Sequence, residues 1–357
     1  MRIAVAVAAV CLWAAGAHAQ TTAQAMVRLT LQGQTIEGTP LAWDRSQVKL
    51  LGRDGRLWTF PPDEVADFQP TASRFQSYSV SELRSALLRE LGGGLEVSGT
   101  GHYLVVHLPQ QGDRWGERLE GLYRSLVRYF WVRGFQPAPP PLPLVAVVCR
   151  DRAEFVRYAR GHAQAMPAGV VGYYDLKSNR IVVYDMGGAG SSASWQQNAA
   201  VLIHEATHQT AFNTGLHSRL APPPLWLAEG LATLFEAPGV FNSDEHPQAA
   251  ERINRGRFEQ FQLYRPRHRP EWLLRMIAGD EFFRQDAARA YADAWALTFY
   301  LTESEPQKYV RYLLATARRP PLSEPTAAER LAEFTAVFGG DWQMLEARLL
   351  RFMAQWK

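Results

Sequence analysis

Cysteine is scarce in this chain of 357 residues, which contains only Cys11 and Cys149. Cys11 falls in the apolar stretch near the N-terminus and would be removed with a signal peptide. The single remaining cysteine excludes an internal disulfide and a thiolate metal site. Because Cys149 ends the apolar run at residues 144–149, we expect it to be a buried thiol in a strand.

A dominant charge and long apolar runs are also missing. The chain has 38 Lys and Arg against 35 Asp and Glu, a formal net charge of +3, and no run of basic residues. This composition gives no indication of a nucleic-acid partner or of binding to an anionic membrane. Beyond the N-terminal segment, no run reaches the roughly 18 uncharged apolar residues that a spanning helix needs, so we expect no membrane span.

The first 20 residues have the pattern of a secretory signal. Arg2 provides the short positive region, residues 3–15 the apolar stretch, and residues 17–19 a small-x-small cleavage site. We therefore predict a signal peptide at residues 1–19 and an extracytoplasmic protein, either periplasmic or secreted.

The remaining sequence suits an α+β protein of several domains, because a chain of this length with 47% hydrophobic residues can bury a substantial core. Apolar and polar residues alternate over residues 20–70, which predicts a small SH3-like or Sm-like β-barrel with either a peptide-binding or a packing role. Residues 71–94 are predicted to be a linker and a helix. Residues 95–215 are predicted to form a sheet-containing subdomain that ends in a long helix over 195–214, and residues 216–357 a helical subdomain.

The most informative run is residues 204–208, HEATH in one-letter code. Residues four apart share one face of a helix, so His204 and His208 can direct ring nitrogens at one metal ion. Glu205 leaves the helix about 100° from His204, which suits it to act as a general base beside that ion. Glu229 is the best candidate for a third ligand, because a helix can begin after the run of three prolines that precedes it. This donor set matches a catalytic zinc site, although core histidines or a zinc site without catalysis would share the pattern.

Other residues have both a functional and a structural interpretation. The Tyr291 hydroxyl could donate to the oxyanion that forms when water attacks a carbonyl group, or its ring could belong to the core. Thr233 and Glu236 could hold the metal ligands from behind, or face solvent on their helix. His217 and His246 could be substitute ligands, but each lacks a helical partner and is predicted to lie in a loop.

The runs at residues 201–209 (VLIHEATHQ) and 226–232 (WLAEGLA) resemble the peptidase MA-like group of gluzincin zinc metallopeptidases. They are most similar to secreted bacterial members known as proteins of unknown function. The resemblance covers roughly residues 95–305 and implies a thermolysin-like core, in which a mixed sheet lies beside the active-site helix and the C-terminal part is helical. It also implies that the segment 179–185 is the sheet edge along which an extended peptide lies.

The same resemblance implies roles for individual residues. His204, His208 and Glu229 would be the ligands of Zn²⁺, Glu205 the catalytic base, and Tyr291 a group that stabilises the transition state. We therefore predict a zinc metallopeptidase with a peptide or protein substrate, cell-wall peptides included. The alternatives are a non-catalytic zinc protein that binds a peptide or cell-wall component, and a hydrolase of non-peptide amides.

Overall fold

The computed structural model describes residues 25–162, 169–185, 192–269 and 271–356. The signal peptide predicted at residues 1–19 lies outside the described residues, as does Cys11. No helix in these ranges is both long enough and apolar enough to span a membrane.

Residues 25–72 form short strands joined by tight turns. The strands are β1 (Met26–Leu31), β2 (Gln34–Trp43), β3 (Val48–Gly52), β4 (Leu57–Phe60) and β5 (Val65–Ala72). They pair antiparallel in the order β4-β3-β2-β1-β5. Val27, Leu29 and Leu31 are buried on one face of β1, because successive residues of a strand point to opposite faces of the sheet.

This sheet is open, whereas the sequence predicts an SH3-like or Sm-like barrel. β4 and β5 lie at opposite ends of the strand order, and no ladder joins them among the described residues. β5 follows a 3-10 helix at Pro62–Glu64 and pairs with β1, with a register shift between Arg28 and Thr30. Alternation of apolar and polar residues indicates strands, but it does not specify which edges meet.

A second sheet combines parallel and antiparallel strands. Its strands are β6 (Glu96–Gly99), β7 (Tyr103–His107), β8 (Leu144–Cys149), β9 (Gly172–Asp175) and β10 (Arg180–Tyr184). In the order β6-β7-β8-β10-β9, the three central strands are parallel and each outer strand is antiparallel to its neighbour. Cys149 is a buried free thiol at the end of β8, which confirms that prediction.

The edge of the second sheet differs from the one that the family resemblance implies. Segment 179–185 contains β10, which pairs with β8 on one side and with β9 on the other and is therefore an interior strand. Its residues 181–183 are all apolar and buried, as suits a strand with neighbours on both sides. The edge belongs to β9 instead.

Helices cover both faces of the second sheet. On one face, α1 (Val80–Leu91) and α3 (Arg152–Gly161) contribute Leu87 and Phe155 to a buried cluster. On the other face, α2 (Gly112–Trp131) and α4 (Ser192–Asn213) contribute Leu119 and Leu202 to a larger core. The helix α4 therefore packs against this face of the second sheet along much of its length.

The C-terminal half of the chain is helical. Its helices are α5 (Leu225–Phe235), α6 (Pro238–Phe241), α7 (Arg255–Tyr264), α8 (Trp272–Ala278), α9 (Glu281–Gln285), α10 (Ala287–Ser304), α11 (Pro306–Ala317), α12 (Ala327–Phe338) and α13 (Trp342–Met353). Their apolar side chains join the core on the α2–α4 face of the sheet. The protein is thus mixed α+β, with its sheets in the N-terminal half.

Candidate metal centre

Helix α4 presents the two histidines of the HEATH run on one side. Leu202 and Ala206 are buried in the core, whereas the side chains of His204 and His208 are 13% and 11% exposed. The helix ends at Asn213, close to the predicted end at 214. Gly215 follows with a φ of 87°, in the left-handed region that favours glycine after a helix.

Helix α5 brings Glu229 against α4 because it packs closely on α10. Gly230 is the residue that allows this approach: a Cβ atom there would clash with Thr298 Oγ1 and lie 2.8 Å from the carbonyl oxygen of Ala294. The helix begins after Pro224, as the run of three prolines predicts. The neighbouring Glu229 therefore points back toward the histidines from a rigid position.

Three side-chain atoms converge at this junction. His204 Nε2 lies 3.1 Å from Glu229 Oε2 and 3.2 Å from His208 Nε2. His208 Nε2 lies 3.4 Å from the same carboxylate oxygen. Among the described residues, these three side chains form a group whose donor atoms could share one metal ion.

The electrostatics of the group favour a positive charge at its centre. Burial disfavours a charged His204, but the carboxylates of Glu229 and Glu236 outweigh this effect and raise the pKa of His204 well above its ordinary value. Burial alone would raise the pKa of Glu229, yet the imidazoles of His208 and His204 hold it well below its ordinary range. A metal ion bound between these atoms would require both Nε2 atoms to be unprotonated.

Glu236 supports His204 from behind. Its Oε1 atom lies 2.8 Å from His204 Nδ1, and its Oε2 atom accepts a hydrogen bond of 2.7 Å from Asn254 Nδ2. From the sequence, Glu236 could either hold a metal ligand or face solvent. In the structure it contacts the ligand His204. Thr233 donates to the main-chain oxygen of Glu229 at 2.7 Å, so it contacts its own helix and not the carboxylate.

Asn254 is a functional candidate that sequence reasoning misses. It caps α7, where its Oδ1 atom accepts from the Arg257 amide at 3.2 Å, and an N-cap is the usual interpretation of an asparagine before a helix. The same side chain uses its amide group to hold Glu236. Nothing in its local sequence indicates this second contact.

Glu205 is held by the edge strand of the second sheet. Its Oε2 atom accepts a hydrogen bond of 2.7 Å from the Tyr174 main-chain amide in β9. One carboxylate oxygen is thereby oriented by a fixed donor. Because Glu205 follows His204 in the chain, the predicted base lies next to the three-donor group, beside β9.

Tyr291 lies at the same site. Helix α10 places its ring beside that of His204, with 6.2 Å between the ring centroids, and the guanidinium of Arg257 lies over the Tyr291 ring. Burial and the nearby carboxylate of Glu229 raise the pKa of the Tyr291 hydroxyl. The group therefore stays protonated and can act as a hydrogen-bond donor.

His217 and His246 both lie in loops, as predicted, and neither belongs to the three-donor group. His246 pairs with Glu251 at 2.9 Å. His217 is buried against Phe212, and this burial lowers its pKa to about 3.

Residues 198–323 match a family model described as "Protein of unknown function (DUF1570)". No curated protein matches the chain. The matched segment contains α4 from residue 198 onward, together with α5 and α10, and therefore every side chain of the three-donor group as well as Glu205 and Tyr291. The candidate metal centre thus lies within the segment that is similar to this family of unknown function.

Proposed function

We propose that this protein is an extracytoplasmic zinc metallopeptidase of the gluzincin type, with a thermolysin-like core formed by the second sheet, α4 and the C-terminal helices. The observation that carries the proposal is the convergence of His204, His208 and Glu229. The family match and the predicted signal peptide are compatible with it, but neither specifies an activity.

The three donors fit zinc in number, kind and spacing. Zinc bonds of about 2.0–2.1 Å in tetrahedral geometry place neighbouring donor atoms roughly 3.3 Å apart. The observed separations of 3.1, 3.2 and 3.4 Å agree with that edge length. Two imidazoles and one carboxylate also match the donor types of catalytic zinc sites, in which three protein ligands leave room for water.

A bound zinc ion would supply Lewis-acid chemistry, because it acidifies water and polarises a carbonyl group. Glu205 would take the proton of the attacking water and deliver it to the leaving amine. The Tyr174 amide fixes one oxygen of that carboxylate, which leaves the other free to exchange the proton. Tyr291, whose hydroxyl stays protonated, would donate its hydroxyl hydrogen to the developing oxyanion.

The substrate class follows from the strand beside the base. Among the described residues β9 is the outer strand of its sheet, so the main-chain groups on its outer edge, apart from the Tyr174 amide that binds Glu205, can pair with the main chain of an extended peptide. This arrangement favours peptides or unfolded protein segments, cell-wall peptides among them. It moves the binding edge from the segment at 179–185 to Gly172–Asp175.

A non-catalytic zinc protein that binds peptides or cell-wall components would use much of the same surface. Structural zinc sites usually have four protein ligands, whereas the described residues contribute three donors to the group. This count supports the enzyme over the binding protein. A hydrolase of non-peptide amides would share the same centre and differ only in its substrate.

Metal analysis and cleavage of a peptide library test the proposal together. The wild type should bind one zinc ion per chain and cleave peptides, and Glu205→Gln should keep the zinc and lose at least about 100-fold in kcat. Glu229→Gln is the matched comparison, because the same change at a ligand should weaken zinc binding itself. Undiminished cleavage by Glu205→Gln would remove Glu205 from the mechanism. Zinc binding without cleavage of peptides or cell-wall fragments would favour the binding protein.

A further inference from the structure

The Arg219 side chain donates hydrogen bonds to main-chain carbonyl oxygens of two segments that lie far apart in the sequence. It lies in the loop after α4, and its Nε and Nη2 atoms donate to the Leu176 oxygen at 2.9 and 2.7 Å. Nη2 also donates to the Lys177 oxygen at 3.0 Å, and Nη1 to the Gly55 oxygen at 3.0 Å. Within the described ranges, no carboxylate lies at ion-pair distance from Arg219. Its planar guanidinium group therefore cross-links main-chain carbonyl groups.

The two segments that Arg219 joins are turns from different sheets. Gly55 belongs to the turn between β3 and β4 of the N-terminal sheet, where its φ is 85°. Leu176 and Lys177 belong to the turn between β9 and β10. A main-chain contact reinforces the junction, because the Leu57 amide donates to the Lys177 oxygen at 2.6 Å. The N-terminal sheet is thus docked on the hairpin that carries the edge strand.

The same hairpin reaches the candidate active site. The Tyr174 amide, two residues before Leu176, donates to Glu205. The Tyr174 hydroxyl donates to Asn179 Oδ1 at 2.7 Å, and Asn179 Nδ2 donates to Asn213 Oδ1 at 2.8 Å at the end of α4. A displacement of the turn would therefore move both the donor that orients Glu205 and the edge of β9.

We infer that Arg219 is a positioning residue through which the N-terminal sheet fixes the edge strand β9 beside Glu205. The N-terminal sheet thereby supports the surface on which a substrate would lie, a role that neither its fold nor the family match suggests. Only the part that concerns substrate depends on the proposed function. The cross-link itself can be tested without any activity.

Hydrogen–deuterium exchange of the zinc-loaded, full-length protein tests the cross-link. In Arg219→Gln and Arg219→Lys, the amides of residues 172–178 and of Leu57 should exchange at least about 10-fold faster than in the wild type, because the guanidinium group that holds both turns is lost. Arg133→Gln is the matched control, since Arg133 also donates to a main-chain oxygen, that of Tyr129, at 3.0 Å. That contact lies at the end of α2 and involves neither turn, so exchange at 172–178 should stay within about 2-fold of wild type.

Two outcomes of the exchange experiment would overturn the inference. Unchanged protection at 172–178 would mean that Arg219 does not hold the hairpin. Faster exchange there with unchanged protection at Leu57 would mean that the hairpin is not coupled to the N-terminal sheet. Arg219→Lys keeps the charge and shortens the reach, so it provides the test if Arg219→Gln does not fold.

Kinetics separate this inference from the proposed function. In Arg219→Lys, KM for a peptide should rise and kcat should fall, each about 5- to 10-fold, because the binding edge and the amide that orients Glu205 move together, while zinc content should stay within about 2-fold. Loss of zinc from the variant would contradict a role confined to β9. Absence of cleavage by the wild type would count against the peptidase, and the exchange result would still decide the role of Arg219.

Discussion

Glu236 determines which nitrogen of His204 faces the metal centre. Nδ1 lies 2.8 Å from the Glu236 carboxylate and would donate its proton there, so in the neutral imidazole that a metal requires the lone pair would be on Nε2, which faces Glu229 and His208. The residue type and helical spacing allow this support but equally allow a solvated position, because Glu236 lies two turns after Glu229 on the same face. Asn254, which in turn binds Glu236, lies at the start of a separate helix, α7. Its contact with Glu236 arises only from the tertiary packing of α7.

Tyr291→Phe tests whether the hydroxyl acts in the transition state or only holds Glu229. If it donates to the oxyanion, kcat should fall about 100-fold, since removal of one such donor costs 10²–10³-fold, with zinc affinity within about 3-fold of wild type. Steady-state kinetics and zinc titration against a chelating dye provide the two measurements. Tyr300→Phe, which removes a hydroxyl from the same helix at a distance from the metal centre, should leave both unchanged. A large loss of zinc affinity in Tyr291→Phe would instead assign the tyrosine to holding its ligand.

Individual elements follow local sequence signals more closely than their pairing does. The capping pair at Ser79 and Glu82 predicts the start of α1, and the structure confirms a reciprocal capping box there. A capping pair at Ser194 and Gln197, with Gly215 as terminator, likewise predicts α4 to within a few residues. Neither signal indicates which strands pair with each other, because strand pairing depends on segments that lie far apart in the sequence. The order that places β9 outside β10 could therefore not be obtained from the apolar pattern.

Gly230→Ala tests whether the close packing of α5 on α10 sets the position of Glu229. The added methyl group would meet Thr298 and the main-chain oxygen of Ala294, so the helices must separate. We expect a loss of about 2–3 kcal/mol in the free energy of unfolding, typical of an overpacked core, together with weaker zinc binding. Urea denaturation and zinc titration measure the two effects.

Gly121→Ala provides the matched control for this helix glycine. Gly121 lies in α2, and a Cβ atom there would meet nothing within 4 Å. The substitution should be neutral or stabilise the protein by up to about 1 kcal/mol, as alanine usually does in a helix. Equal effects of the two substitutions would show that the α5–α10 contact does not constrain the metal centre.

The packing of the elements into one molecule depends on contacts between residues that lie far apart in the chain. Glu90 in α1 binds Arg180 of β10 through two hydrogen bonds of 2.6 and 2.9 Å, and it lies 3.4 Å from His162 and 3.8 Å from Arg56. The four residues come from the N-terminal sheet, α1, the end of α3 and β10. Composition and motifs predict an α+β chain with a metal centre, but charged residues scattered at such separations give no sign that they will meet.

Glu90→Gln should unfold more easily at neutral pH, and the difference should shrink in acid. Burial would raise the pKa of Glu90, but the nearby His162 ring and the hydrogen bonds from Arg180 outweigh it and hold that pKa well below its ordinary 4.5. A carboxylate with a lowered folded-state pKa contributes stability above its unfolded pKa and loses it as the pH falls through the folded value. Arg180 is 3% exposed and would be left unpaired, whereas Glu90 is 33% exposed. We therefore expect a loss of about 2 kcal/mol at pH 7, less than for a fully buried pair.

Urea denaturation at a series of pH values measures this contribution. The gap in unfolding free energy between wild type and Glu90→Gln should be constant from pH 7 to about pH 5 and narrow progressively below about pH 4.5, where the unfolded carboxylate takes up its proton. Glu117→Gln is the control, because Glu117 is exposed on α2 and should change stability by less than about 0.5 kcal/mol. A gap that persists unchanged to low pH would assign the loss to packing. In that case the charges of Glu90 and its three partners would not stabilise the contact between α1 and the two sheets.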